Sequence, residues 1–295
     1  MTAKKQATST QGGDLLTKAM LVKFSSSCWG AKKNDREVAQ EVAEKHKSDA
    51  NMGKFTKVLL ASEHREAYKK VAREAYSYHR ANTLPWDEGT GLLPASKFWK
   101  YNEEMERLKR EAETHAEAFA TEYRKQWDNG LSEYRKALGD LFDKEDYPEP
   151  SHVRAKFGIK IRVSAITNPN DFRVQLGSGG EKVRQQMLED MKVDLQEAMK
   201  EPYRRLFKAI SKIHDRISEA DAKFRDSLID NAKELVEILP ELNVTNDPEL
   251  TKLIDAVKKE LCVHDVDALR KDKKYRSEVA KSAAEILKGM QGYVT

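Results

Sequence analysis

Phe157-Gly158-Ile159-Lys160-Ile161-Arg162-Val163-Ser164-Ala165, the turn Asn168-Pro169-Asn170-Asp171, and Phe172-Arg173-Val174-Gln175-Leu176 decide how this chain is read. Phe157, Ile159, Ile161, Val163 and Ala165 alternate with polar or small residues, and Phe172, Val174 and Leu176 resume the alternation beyond the turn. Apolar residues at every second position on both sides of an Asn/Pro/Asp turn predict a β-hairpin. One face of it is apolar and the other basic. A lone two-stranded hairpin is marginal in water. Its apolar face must therefore rest on the protein, on a neighbouring copy or on a ligand.

Away from this segment the period becomes helical. Upstream, Tyr101, Met105, Leu108, Ala112, His115 and Phe119 are spaced as the a and d positions of a coiled-coil seam. They lie in a helix that starts at Ser96 and runs towards Leu138, with Asn129-Gly130 as a break point. Downstream, Leu206, Ile210, Ile213, Ile217, Ala220 and Phe224 repeat that spacing in a region opened by Glu181. Pro202 predicts a kink or boundary there, and Pro240 its end. The run Ala19-Met20-Leu21-Val22 with Phe24 reads as a strand or a short buried element. Asn34 or Asp35 caps a helix reaching about His46, and Ser62 begins another. Residues 83–94, rich in Pro and Gly but carrying Trp86 and three leucines, read as a loop pinned onto the helices. Asp247-Pro248 opens a helix through Leu261, and a last one runs from Val266 to Lys288 with Gly289 as its stop.

The fold class expected is mainly α, with two long antiparallel, coiled-coil-like helices and one inserted β-hairpin. Along the chain this gives a tail (1–14), an N-terminal helical region with the Pro/Trp loop (15–95), a long helical arm (96–150), the hairpin (151–180), and a second arm with C-terminal helices (181–295). Charged residues make up 35% of the 295 positions and apolar ones 39%. That balance suits solvated helices with narrow apolar stripes better than a thick core. The formal charge is only +4, weak support for a nucleic-acid coat. Cys28 and Cys262 lie far apart, which suits a reducing compartment. The polar start lacks the apolar core of a signal peptide, and no run approaches the ~18 apolar residues of a membrane span. The chain reads as cytoplasmic with no membrane partner.

No catalytic motif stands out. The seven histidines show no i, i+4 pair, Cys-x-x-Cys is absent, and Gly177-Ser178-Gly179-Gly180 lacks the Gly-Lys-Ser/Thr of a P-loop. Carboxylates alternate with Lys and Arg as on a solvated helix face. The expectation is a protein that is not an enzyme and takes no cofactor or metal. Two kinds of binding remain. Lys156, Lys160, Arg162 and Arg173 on the basic face, with Tyr78, Arg80 and Trp99 from nearby aromatic-basic stretches, form a candidate single-stranded nucleic-acid site, since cations meet phosphates and aromatics stack on bases. Ile159, Ile161, Val163, Phe172 and Val174 on the apolar face form a candidate oligomerisation surface. The small net charge shifts the weight to the second: a self-assembling scaffold or adaptor.

His79-Arg80-Ala81-Asn82-Thr83-Leu84-Pro85-Trp86 with Gly91-Leu92-Leu93-Pro94, Leu138-Gly139-Asp140-Leu141-Phe142 with Tyr147-Pro148, and Asp171-Phe172-Arg173-Val174 resemble a family of uncharacterised bacteriophage and prophage proteins. The resemblance covers roughly residues 15–180. It implies a phage-encoded protein acting in the bacterial host cytoplasm and carries no catalytic residues with it. Some such families are encoded near MoxR-type AAA+ ATPases, which makes an AAA+ ATPase a further candidate partner.

Overall fold

Strand β1 (Ala19–Ser27) takes the apolar run at the start of the chain, as its β-branched and aromatic residues favour. Its neighbours come from far along the sequence. In the computed structural model, which describes residues 15–87, 89–171, 179–219 and 225–294, the sheet has the order β4-β5-β1-β6, with β4 at Leu84–Pro85, β5 at Thr90–Pro94 and β6 at Gly158–Ser164. β5 pairs antiparallel with β1, from Ala19 opposite Pro94 to Lys23 opposite Thr90. The Pro/Trp-rich segment is thus a tight hairpin and not a loop, and it does pack on a helix, the long one over Gly180–Ser218. Thr90 N–H donates to Asp87 C=O at 2.8 Å, Trp86 N–H donates to Thr90 C=O at 3.1 Å, and Gly89 supplies a φ of +69°. Leu84, Leu92 and Leu93 are fully buried, so hydrophobic burial holds strands whose Pro and Gly content argues against them. Gly91 is required: a Cβ there would stand 2.6 Å from Thr83 Oγ1.

The first arm of the expected hairpin is therefore a strand, but β1 is its neighbour. The expected second arm, with Phe172, Arg173 and Val174, lies outside the described residues.

The helices are α1 (Arg36–His46), α2 (Glu63–Asn82), α3 (Phe98–Asp128), α4 (Ser132–Leu138), α5 (Pro150–Val153), α6 (Gly180–Ser218), α7 (Ser227–Leu242), α8 (Pro248–Glu260), α9 (Val266–Lys271) and α10 (Lys273–Val294). The chain divides into two compact units. One comprises Met1–Lys23, His79–Tyr101 and Arg162–Thr295, and the other Phe24–Tyr78 and Asn102–Ile161. β1, β6, α2 and α3 each run through a boundary.

In the first unit, Leu206, Ile210, Ile213 and Ile217 on α6 are buried against α7 and α10, with Leu239, Val279, Ala283 and Met290 in the same core. At roughly 1.5–3 kcal/mol for each large apolar side chain removed from water, this stripe decides where α6 runs. It carries the helix through Pro202, which is itself buried and does not end it. Pro240 likewise falls inside α7. The C-terminal helix departs from expectation twice. It is broken at Asp272, whose carboxylate accepts from Lys274 N–H (2.8 Å) and Tyr275 N–H (3.0 Å) and so caps α10. It also runs past Gly289, because Met290 is buried and Tyr293 stacks on Tyr203 at 4.8 Å.

In the second unit, α3 buries Met105, Leu108, Ala112, Ala116, Phe119 and Tyr123. Ala116 replaces the expected His115, which is only half-buried. The stripe thus follows the ordinary 3.6-residue period of an amphipathic helix, not a strict heptad. It meets an aromatic cluster: Trp29 is edge-on to Phe119 (6.2 Å) and Tyr123 (5.4 Å), and Phe157 contacts Phe119 and Tyr68, both at 5.0 Å. The helix ends at Gly130 (φ +65°) and Leu131 (φ +56°), the break that Asn129-Gly130 suggested.

Tyrosines and one arginine fasten the irregular segments. Tyr68 OH donates to Ser27 C=O (2.8 Å) and accepts from Gly158 N–H (2.9 Å); Tyr147 OH donates to Leu59 C=O (2.9 Å). Arg65 donates to the carbonyls of Trp29 (3.1 Å) and Gly30 (2.5 Å) where the chain leaves β1. Strands β2 (Lys32–Asp35) and β3 (Phe55–Val58) pair antiparallel, and Asp35 caps α1 by accepting from Val38 N–H at 3.2 Å.

Candidate functional site

β6 carries both faces on which binding was expected. Gly158 opens it beside Tyr68, and alternation then sends Ile159, Ile161 and Val163 to one side and Lys160 and Arg162 to the other. The apolar side runs progressively out of the protein: Ile159 is 5% exposed, Ile161 is half-buried, and Val163 is 43% exposed. Ile159 is thus consumed by the fold, while Ile161 and Val163 are increasingly offered. Phe172 and Val174 lie outside the described residues.

On the opposite side Lys160 and Arg162 are exposed, and Lys156 is exposed in the short turn before the strand. Arg154, two residues before Lys156, is engaged with Glu117 at 2.6 Å. Among the described residues, no carboxylate pairs with Lys156, Lys160 or Arg162. Arg173 lies in the undescribed stretch 172–178, which contains no acidic residue. The other three candidates sit on helices. Tyr78 is half-buried on α2, Arg80 stands 4.0 Å from Glu201, and Trp99 is 78% exposed in the first turn of α3, edge-on to Phe98 at 5.2 Å. By unit, Lys156, Lys160 and Tyr78 belong to the second, and Arg162, Arg80 and Trp99 to the first.

Two polar clusters were not visible in the sequence. At the end of α2, His79 is 5% exposed and its Nδ1 lies 2.8 Å from Tyr101 OH, while Thr83 Oγ1 donates to His79 C=O. Arg205 donates to the carbonyls of Ala81 (3.1 Å) and Thr83 (2.8 Å), capping the helix from α6. Burial, with the charge of Arg80 beside it, pushes the His79 imidazole down to about 4. In the second unit, Asp146, 1% exposed in its side chain, pairs with Lys57 at 2.8 Å and with Lys33, and Lys57 also reaches Asp35 at 3.0 Å. Burial alone would raise the Asp146 pKa, but Lys33 and Lys57 outweigh it and hold the carboxyl below its ordinary value. The histidine belonged to a motif of unrecognised purpose. The Asp146–Lys57 contact spans a sequence separation that no local pattern reveals.

The His79 cluster has a measurable consequence. The unfolded chain binds a proton at His79 near pH ~6.5, but the folded one only near 4. Its contribution to stability is complete above the unfolded value and is lost as pH falls from there to about 4. Between pH 7 and 5 the loss is about 2 kcal/mol. Urea titrations should show it, and His79→Gln should flatten the slope across that window; an equal slope in the variant contradicts the assignment.

Among the described residues, no group of three His, Cys, Asp or Glu is placed to hold a metal ion, and no helix is long and apolar enough to cross a membrane. Comparison with family models, with curated proteins and with solved structures returned no match. The class that the structure itself defines is a mainly helical protein with a small antiparallel sheet.

Proposed function

We propose that the protein is a non-enzymatic, self-assembling helical scaffold or adaptor, phage-encoded and acting in the host cytoplasm, whose copies associate through β6. The observation that carries this reading is the graded burial of Ile159, Ile161 and Val163. An end strand among the described residues, with its apolar side leaving the core, is a template for pairing with another chain. The resemblance to phage families supplies the setting, and an AAA+ ATPase partner rests on that resemblance alone. Light scattering after size exclusion should give a mass above that of one chain at micromolar concentration, and Val163→Lys should return it to one chain. A strict monomer for the unaltered protein overturns the reading.

A second reading is favoured by the three unpaired cations. Lys156, Lys160 and Arg162, which follow one another along the chain into β6, suit the phosphates of single-stranded DNA. Binding to a single-stranded oligonucleotide should weaken with salt, and Lys160→Glu/Arg162→Glu should reduce the log–log slope by about 1.4, at ~0.7 per lost phosphate contact. Binding that is absent or insensitive to salt removes this reading.

A further inference from the structure

Helix α1 and the chain that returns from it border a polar cavity of about 520 Å³ in the second unit. Its walls come from residues 34–55 alone. α1 ends at Lys47 in the left-handed conformation (φ +52°), and β3 then runs back along β2 with Phe55 opposite Asp35. That return brings Asn51, Lys54 and Phe55 to the same cavity as Asn34, Arg36 and Gln40. The volume falls within the roughly 300–1,000 Å³ of small-molecule sites.

Asp35 also lines the cavity, but its charge is offset before any ligand arrives. Its carboxylate accepts from Val38 N–H at 3.2 Å and pairs at 3.0 Å with Lys57, which is buried. Arg36 and Lys54 are exposed, and among the described residues neither has a carboxylate or hydrogen-bond partner. The walls therefore carry two cations in surplus, which suit an anionic group.

The neutral side chains narrow the ligand further. Asn34 uses its side-chain oxygen to accept from Thr56 Oγ1 at 2.8 Å, which leaves its amide NH2 to donate. Gln40 and Asn51 use their amide nitrogens instead, donating to Glu44 and to Asp49, both at 3.0 Å, which leaves their oxygens to accept. A phosphate or carboxylate ion has no hydrogen to give those oxygens. Sugar hydroxyls and the N–H groups of a base do. Phe55 is half-buried and has no aromatic neighbour among the described residues, so its ring is left for a flat partner. Two cations, mixed donors and acceptors, and one ring together match phosphate, sugar and base.

We infer that this cavity binds a nucleoside monophosphate unit, with Arg36 and Lys54 on the phosphate, Phe55 against the base, and Asn34, Gln40 and Asn51 on the sugar hydroxyls and base edge. The unit is either a free nucleotide or one nucleotide of a single strand. The site shares no residue with β6, so it is tested separately from the scaffold and from the basic strand.

Titration calorimetry of the full chain with adenosine 5′-monophosphate, adenosine, inorganic phosphate and N-acetylglutamate provides the test. Saturable binding of the monophosphate is expected, at least tenfold tighter than that of each of the other three. Arg36→Glu/Lys54→Glu should weaken it tenfold or more; both side chains are exposed and unpaired, so the fold does not depend on them. Lys160→Glu/Arg162→Glu should leave it unchanged. Equal binding of adenosine removes the phosphate contact, and equal binding of phosphate or N-acetylglutamate removes the base contact; either result overturns the proposal. So does an absence of binding, or binding that survives Arg36→Glu/Lys54→Glu. An octamer of deoxyadenylate, titrated into the Lys160→Glu/Arg162→Glu protein, separates the two sources. Tighter binding than the monophosphate, lost on adding Arg36→Glu/Lys54→Glu, names the strand, and weaker binding names the free nucleotide.

Discussion

Asp146→Ala should destabilise the protein by about 3 kcal/mol, the lower end of the range for breaking a buried ion pair. The low end applies because Lys57 keeps Asp35 at 3.0 Å, and Lys33 is half-exposed and regains water. The larger part of the cost is leaving the Lys57 ammonium, 7% exposed, with one carboxylate fewer. The double change Asp146→Leu/Lys57→Met removes both charges and should recover much of the loss, since burying an apolar pair in place of an ionic one is often neutral. Chemical denaturation of the three proteins decides it; a double variant no better than Asp146→Ala rejects the pairing as the cause. pH gives a further check. Lys57 holds the Asp35 carboxyl below its ordinary value, as Lys33 and Lys57 together do that of Asp146. Groups so lowered contribute stability above the unfolded carboxylate pKa of ~3.9 and lose it as pH falls below that. This acid limb lies under the His79 limb and is separable from it.

Phe119→Ala should cost about 3–5 kcal/mol. Phe119 is fully buried and touches Trp29, Tyr123 and Phe157, which hold α3, the β1–β2 connection and the start of β6 to one another. Removing the ring leaves a void that three large aromatic groups cannot close without leaving their rotamers. His115→Ala, one turn away and half-buried, should cost under about 1 kcal/mol. The contrast separates the two periods possible for this helix. A strict heptad seam would make both positions core and both changes severe, whereas the observed stripe passes through Ala116. Similar losses at 115 and 119, measured by urea midpoint, contradict the stripe.

Wherever an element forms from its own residues, it was legible before any contact was known. β1 follows its apolar run, α1 starts where Asp35 can cap it, α3 ends at Asn129-Gly130, and α8 opens on Asp247-Pro248. The errors share one cause. Pro202, Pro240 and Gly289 read locally as stops, yet the helices continue because Leu206, Leu239 and Met290 are buried around them. Local penalties of about 1–3 kcal/mol for Gly or Pro are outweighed when several large side chains on the same helix leave water. Residues 83–94 show the same effect in a sheet: their composition argues for a loop, but Leu84, Leu92 and Leu93 bury completely once β1 is alongside. The polar clusters were hidden for a different reason. His79 with Tyr101, and Asp146 with Lys57, are ordinary polar residues until a distant segment removes their water.

By itself the sequence determined the helical class, the strand character of Gly158–Ser164 and the opposed faces of that strand, because period and side-chain chemistry are local properties. Only tertiary structure decided what those faces meet. Among the described residues β6 lies beside β1, a strand far from it in sequence. Burial then divided the apolar side into Ile159, which the core consumes, and Val163, which it leaves to water.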